Sequence, residues 1–147
     1  MSRPYISREQ RLAVGDRAQG CCEYCRSQER FAMQSFSIEH IAPYERGGAH
    51  DLDNFAFSCQ GCNNHKYTKT EGRDPESDPK APMVPLFHPR QNRWHDHFAW
   101  SEDFTIIAGL TPTGRATVEA LRLNRPGLVN LRRLLVDAGE HPPPDPE

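Results

Sequence analysis

Two Cys-x-x-Cys pairs constrain this chain more than any other feature. They place Cys22 with Cys25 and Cys59 with Cys62. Such a pair holds two thiolates close enough for one tetrahedral ion, and two pairs complete a closed structural zinc site. The insert between them, residues 26–58, is longer than the usual zinc-ribbon spacing. We therefore expect a Zn²⁺ ion to join the two ends of an inserted unit, and that unit holds a histidine and an asparagine.

The composition limits the size of the core, the cellular compartment and the kind of partner that we expect. The 147 residues are 36% hydrophobic and include 13 prolines, which indicates a modest core that a metal site would help to stabilise. The five cysteines lie at only two places, as in metal sites rather than disulfide frameworks, and this usage is typical of a reducing compartment. The sequence shows neither a signal peptide nor a membrane-spanning segment, so we expect a cytoplasmic protein. The net charge of -2 argues mildly against tight nonspecific DNA binding.

The first seventy residues suggest a helix followed by a strand, loop, strand, helix order. Ser7 and Gln10 form a capping-box pattern, so a helix begins there and stops near Gly20. Apolar alternation predicts strands over residues 36–40 and 52–58, separated by a loop that prolines and glycines force. A short polar helix follows the second cysteine pair to about Thr70. The buried face of the first helix is expected to comprise Leu12, Ala13 and Val14.

The second half of the chain changes character. Residues 71–92 are rich in proline and predict a linker or arm. Residues 93–139 predict an extension with a hairpin, which turns at 101–103, and two helices, the first capped by Thr111 and Pro112. Residues 140–147 hold four prolines and predict a disordered tail.

The central motifs, taken together and in order, resemble the HNH endonuclease family. The resemblance covers roughly residues 8–70, within a predicted nuclease core at residues 1–70. It implies an α+β fold, in which a small zinc-stapled ββα-metal (His-Me finger) core carries an N-terminal helix and the C-terminal extension. The matching elements are Glu39-His40, Pro43, Gly47-Gly48, Asp51-x-x-Asn54 and Cys59-x-x-Cys62-Asn63-x-x-Lys66.

The resemblance also implies chemical roles. His40 is the expected general base, since a neutral imidazole accepts a proton from water near neutral pH. Glu39 is the expected ligand of a catalytic Mg²⁺ or Mn²⁺, although Asp is the commoner acid in the family and a straight strand would point Glu39 away from His40. Asn54 is the expected catalytic brace, whose amide bonds the loop and orients the histidine rather than binding metal.

Asn63 stands where many family members have histidine. Its amide oxygen can bind magnesium, whereas His65 lies two residues further on and points roughly 200° away around a helix. We therefore prefer Asn63 as the second metal ligand and keep His65 as the alternative. Lys66 either contacts a phosphate or is an ordinary solvent-facing residue of the helix.

The remaining candidates each have a plain structural alternative. Cys21 has no partner at the right spacing and is expected to be a small buried residue. Arginines on the two predicted C-terminal helices either face DNA as a basic surface or belong to a solvated helix face. The candidate DNA contacts there are Arg122, Arg125, Arg132 and Arg133.

These observations favour a hydrolase: a metal-dependent endonuclease that cuts phosphodiester bonds in DNA, with no membrane association and no small-molecule cofactor. The first alternative is a catalytically silent, zinc-stabilised nucleic-acid-binding module, and the second is a structural zinc domain for protein interaction. The sequence leaves the cleavage site, the number of strands cut and the oligomeric state open.

Overall fold

The computed structural model describes residues 4–146, so predictions for residues 1–3 and 147 lie outside it. Within residues 4–146, five α-helices and three two-stranded antiparallel sheets follow one another. The helices are α1 (Arg8–Arg17), α2 (Gln60–Lys66), α3 (Trp94–His97), α4 (Pro112–Leu121) and α5 (Pro126–Asp137). The strands are β1 (Ser37–His40), β2 (Phe55–Ser58), β3 (Glu71–Gly72), β4 (Val84–Pro85), β5 (Phe98–Trp100) and β6 (Ile107–Gly109).

The predicted α+β core is confirmed, with two shorter elements. Strand β1 pairs antiparallel with β2, so that His40 lies opposite Phe55. The second strand begins at Phe55 rather than residue 52, because residues 52–54 form a one-turn 3₁₀ helix capped by Asp51. Helix α2 ends at Lys66 rather than near Thr70, because Tyr67 adopts a φ of 51°.

Helix α1 begins with the predicted capping box. The Ser7 hydroxyl accepts a hydrogen bond from the Gln10 backbone amide, and the Gln10 side chain accepts one from the Ser7 amide. The predicted apolar face was wrong for two of its three residues. Only Val14 is buried, whereas Leu12 is 55% exposed and Ala13 is also exposed. The helix packs on β2 through a narrow stripe, with its polar residues outward.

The C-terminal extension contains the predicted hairpin and both helices. Strand β5 pairs with β6 across a loop that begins at Ser101. Helix α4 begins with Pro112 in its first turn, and the Thr111 hydroxyl accepts a hydrogen bond from the Gly114 amide. Capping chemistry is local, which is why the sequence predicted this boundary.

The two proline-rich segments pack more closely than expected. In the segment predicted as a linker, β3 pairs with β4, and Leu86 and Phe87 are buried in the hydrophobic cluster that also contains the β1–β2 core. In the segment predicted as a disordered tail, His141 is buried and the Pro144 carbonyl accepts a hydrogen bond from Arg26 at 2.9 Å. Prolines cannot donate, yet their carbonyls accept and their rings fill apolar space.

Among residues 4–146, every helix falls short of the length and hydrophobicity needed to cross a membrane.

Candidate metal centre and active site

The four paired cysteines form a buried cluster that fits a tetrahedral ion. Their sulfur atoms all lie within 4.8 Å of one another, and the Sγ atoms of Cys25 and Cys59 are 3.7 Å apart. A zinc–sulfur bond of 2.3 Å places tetrahedral sulfurs about 3.8 Å apart. The donor set and spacing therefore suit a structural zinc ion. Cys21 is buried outside this cluster, as predicted.

Backbone amides support the sulfur atoms of both cysteine pairs. The amide of Cys25 donates to Cys22 Sγ at 3.5 Å, and the amide of Cys62 donates to Cys59 Sγ at 3.4 Å. Hydrogen bonds from Cys22, followed by Cys25 and Cys62, lower the pKa of Cys59 below its usual value. The tight turn of each Cys-x-x-Cys thus provides donors suited to thiolates, the form that binds metal.

Arg125, from the extension, reaches the same sulfurs. Its Nη2 donates to Cys59 Sγ at 3.4 Å, and its Nη1 lies 3.7 Å from Cys62 Sγ. Burial lowers the pKa of Arg125, but the contributions of Cys62, Cys25 and Cys59 together outweigh it, and the pKa is raised above its usual value. Gly61 makes room for the approach, since a Cβ there would lie 2.4 Å from Arg125 Nη2. Arg125 is therefore a partner of the cysteine cluster, and its role as a DNA contact stays a prediction.

Three of the residues expected to do chemistry border one cavity of about 550 Å³. Glu39, His40 and Asn63 all contribute to its lining, so the end of β1 and the first turns of α2 face the same space. His65 is not among the residues that line this cavity. Burial, followed by the positive charges of Arg125 and Arg122, lowers the pKa of His65. The geometry thus brings Asn63, rather than His65, to the side of the predicted acid and base.

Glu39 is buried and has two partners inside the protein. Its carboxylate accepts a hydrogen bond from the Tyr24 hydroxyl and lies 3.5 Å from the ammonium of Lys66. Burial raises the pKa of Glu39, and Lys66 and Tyr24 counteract part of that rise. Lys66 is 1% exposed and also donates to the Ile41 carbonyl at 3.0 Å. Both predictions for Lys66, a phosphate contact or a solvent-facing residue, were wrong because the side chain ties α2 to β1.

Asn54 holds the loop between β1 and β2. Its amide nitrogen donates to the carbonyls of Ala42 at 2.9 Å and Ala49 at 2.7 Å, while its oxygen accepts from the Ala42 amide at 2.8 Å. Gly48 allows the loop to close, because a Cβ there would lie 1.9 Å from the Ala42 carbonyl oxygen. These bonds are the ones expected of a bracing asparagine.

His40 is enclosed by aromatic rings. It is 6% exposed, with its ring 5.3 Å from that of Phe55 and 5.6 Å from that of Tyr44. Its Nε2 lies 3.0 Å from Nδ1 of His50. His50 was not predicted from the sequence, since it belongs to no element of the motif. Its position after the Gly47-Gly48 turn, where a loop returns toward β1, was the only available signal.

The arginines of the extension divide between interior and surface. Arg132 is 3% exposed and donates to the carbonyls of Thr105 at 2.9 Å and Leu123 at 2.7 Å. Its prediction as a DNA contact was wrong, because the helix face that carries it packs on the hairpin. Arg122 and Arg133 are exposed. Of the four predicted contacts, these two remain on the surface.

Comparison with known proteins identifies the central segment. The family model described as HNH endonuclease matches residues 22–69. The searches of curated proteins and of solved structures each returned no match. The matched residues include both cysteine pairs, both core strands and the whole of α2. Residues 22–69 therefore match the HNH endonuclease family model, and the two cysteine pairs of this segment meet in one four-cysteine cluster.

Proposed function

We propose that this protein is a metal-dependent endonuclease that hydrolyses phosphodiester bonds in DNA. An HNH domain indicates a nuclease or nucleic-acid-binding function. The observation that carries the finer proposal is the meeting of Glu39 and His40, from β1, with Asn63, from α2, at one cavity. A base and two oxygen donors around one space suit hydrolysis of a phosphate ester.

Glu39 and Asn63 would hold a divalent ion, Mg²⁺ or Mn²⁺, because both ions prefer oxygen ligands. When bound, such an ion stabilises the charge that builds on the phosphate and on the departing 3′ oxygen. The bonds of Glu39 to Tyr24 and Lys66 are compatible with this role. A carboxylate offers about four lone-pair sites, so two internal partners leave room for a further one.

His40 would accept the proton of the attacking water. The rings of Tyr44 and Phe55 restrict its motion, and Asn54 holds the loop that follows it. A base held in one orientation needs no reorganisation when the substrate arrives. Asn54 would thus act on the histidine through the loop, without binding the metal.

The cysteine cluster would have a purely structural role. Four thiolates complete a tetrahedral zinc site and leave no open position for water or substrate. The cluster joins the segment before β1 to the start of α2, and so fixes the helix that carries Asn63. Zinc would therefore support the second site without taking part in cleavage.

One observation favours a second candidate, a zinc-stabilised nucleic-acid-binding module that does not cleave. The buried pairing of Glu39 with Lys66 is also what a structural ion pair looks like. In that case the acid would serve the fold alone, and added magnesium would change nothing.

Plasmid cleavage distinguishes the two candidates. Zinc-loaded protein is incubated with supercoiled DNA, with and without Mg²⁺ or Mn²⁺, beside the His40→Ala variant. We expect cleavage only with the wild type and an added ion, and sequencing of the DNA ends then gives polarity and specificity. A gel shift without cleavage under every condition would establish the binding module instead.

A further inference from the structure

A second cavity, of about 670 Å³, is rich in arginine. Among residues 4–146 its lining holds four arginines and two acids, an excess of positive charge in a protein whose net charge is -2. The arginines are Arg17, Arg26, Arg90 and Arg93, and the acids are Glu23 and Asp96. The proposed function makes no use of this cavity.

Two of the guanidinium groups are held in position by the protein itself. Arg17 donates to the carbonyls of Leu52 at 2.9 Å and Phe55 at 2.8 Å. Arg90 donates to the same Phe55 carbonyl at 3.0 Å and pairs with Glu23. One oxygen atom thus brings two like charges close together. Each guanidinium has five N–H donors, so these bonds leave others for an anion.

The other two arginines have no acidic partner among residues 4–146. Arg26 is 4% exposed and donates to the Pro144 carbonyl at 2.9 Å rather than to a carboxylate. A buried guanidinium is ordinarily paired with an anion. Arg93 is exposed at the start of α3, and within those residues it makes no ion pair. An anion in the cavity would supply the negative charge that these two groups lack.

The cavity lies close to the proposed catalytic site. His40 and Phe55 are direct partners in β1 and β2. The Asn54 carbonyl accepts a hydrogen bond from the Ile41 amide, so the next carbonyl along the strand, that of Phe55, points away from β1. The two arginines bonded to it therefore approach β2 from the side opposite β1. Strands lie about 5 Å apart and a hydrogen bond adds about 3 Å, so these guanidinium groups are on the order of 10 Å from the β1 backbone.

We propose that this arginine-lined cavity binds a backbone phosphate of the nucleic acid whose scissile phosphate occupies the proposed catalytic site. The inference rests on the proposed function, which places nucleic acid beside His40. A span of 10 Å corresponds to about three nucleotides of one strand. The planar fork of a guanidinium matches two oxygens of a phosphate, and groups already held by Leu52 and Phe55 lose little freedom when it binds.

Binding of an oligonucleotide tests the site without any cleavage. Zinc-loaded protein is titrated with a fluorescent DNA duplex, with no Mg²⁺ or Mn²⁺ added. Arg17→Gln and Arg93→Gln should each weaken binding by at least about 10-fold, the effect of one lost hydrogen bond between charged groups. Each should also lower the log–log salt slope by about 0.9. Arg93→Gln is the decisive variant, since it removes no internal ion pair; zinc content and circular dichroism confirm that it folds.

Arg11→Gln is the matched control. It removes the same charge from the same helix as Arg17, but Arg11 is exposed and lies outside the cavity lining. Because salt screens distant charges, its affinity should stay within about twofold of wild type. Equal affinities in Arg11→Gln and Arg93→Gln would overturn the inference, as would a wild type that binds no oligonucleotide.

Nuclear magnetic resonance of ¹⁵N-labelled arginine locates the bound phosphate. The Nε–H signals of Arg17, Arg90 and Arg93 should shift and saturate with the oligonucleotide, and inorganic phosphate should need at least about tenfold higher concentration, because it gains nothing from contacts elsewhere along a strand. Equal or tighter binding of inorganic phosphate would make this a site for a free anion and overturn the inference. Shifts confined to arginines outside the cavity would overturn it too.

These measurements separate the inference from the function beneath it. Wild-type protein that binds the duplex through these arginines yet never cleaves DNA would overturn the proposed cleavage and support the phosphate site. Cleavage by wild type, together with wild-type affinity in Arg17→Gln and Arg93→Gln, would overturn the inference and leave the nuclease proposal standing.

Discussion

Helix α2 lies between the cysteine cluster and the proposed catalytic site, and the two differ in their chemistry. One contains sulfur atoms, with Cys59 and Cys62 at the start of the helix, and the other contains oxygen donors beside Asn63. Each buried anionic group has a cation from the same chain: Arg125 for the thiolates and Lys66 for Glu39. Lys66 lies within the matched HNH segment, whereas Arg125 comes from the extension. The oxygen site is thus local, and the sulfur site depends on residues outside the family's segment.

The largest expected effect comes from breaking the sulfur site. Cys59→Ser removes one of four ligands, and structural zinc contributes on the order of 10 kcal/mol of folding free energy in small domains. We expect the variant to lose zinc and to unfold in circular dichroism, whereas wild type retains about one zinc per chain, the stoichiometry of a single four-thiolate site. A well-folded, zinc-free wild type would remove the zinc site from the account.

A substitution at the proposed catalytic site should instead leave the fold intact. His40→Ala is expected to reduce cleavage by roughly 10²–10⁴-fold, the contribution of a general base, while zinc content and DNA affinity stay at wild-type values. The measurement is single-turnover cleavage beside metal analysis of the same preparation. Undiminished cleavage by this variant would end the proposed mechanism.

Arg125 tests the dependence of the sulfur site on the extension. Arg125→Gln removes a charged donor to Cys59 and Cys62, so zinc transfer to a chromophoric chelator should be faster by about 10-fold to 100-fold, as for other outer partners of metal ligands. Arg122→Gln, three residues earlier and exposed, is the matched control and should match wild type. Equal zinc-release rates in wild type, Arg125→Gln and Arg122→Gln would show that the cysteine cluster does not depend on the extension.

The surface arginines carry the smallest expected effect. Replacing Arg122 and Arg133 with Gln should flatten the salt dependence of duplex binding by about 0.9 in log–log slope for each phosphate that the protein no longer neutralises. Zinc content should not change, because both side chains are exposed. An unchanged slope would assign them to an ordinary solvated helix face. Arg125 and Arg132 are left out, since replacing them would disturb internal contacts.

The sequence predicted what is local or chemically restrictive. Cysteine spacing predicted the cluster, the Ser7 and Thr111 caps predicted two helix starts, and apolar alternation predicted the two core strands. These features need only short-range geometry or a rare combination of residues. The α+β core and the place of each motif on it were therefore predictable.

The direction of charged side chains was not predictable. Lys66, Arg125 and Arg132 all face inward, because Glu39, the thiolates and backbone carbonyls supply partners that the sequence does not reveal. A count of positive charge on a helix cannot distinguish a surface from an interior contact. His50 was missed for the same reason, since its meeting with His40 depends on how the loop closes.

The separation of the two sites by α2 is tested most directly by the magnesium dependence of cleavage in Asn63→Ala. Zinc content is measured in the same preparation, and His65→Ala serves as the neighbour on the other side of the helix. We expect Asn63→Ala to keep its zinc yet need at least about tenfold more Mg²⁺ for half-maximal cleavage, while His65→Ala follows the wild-type curve. A wild-type curve for Asn63→Ala together with loss of activity in His65→Ala would contradict the assignment.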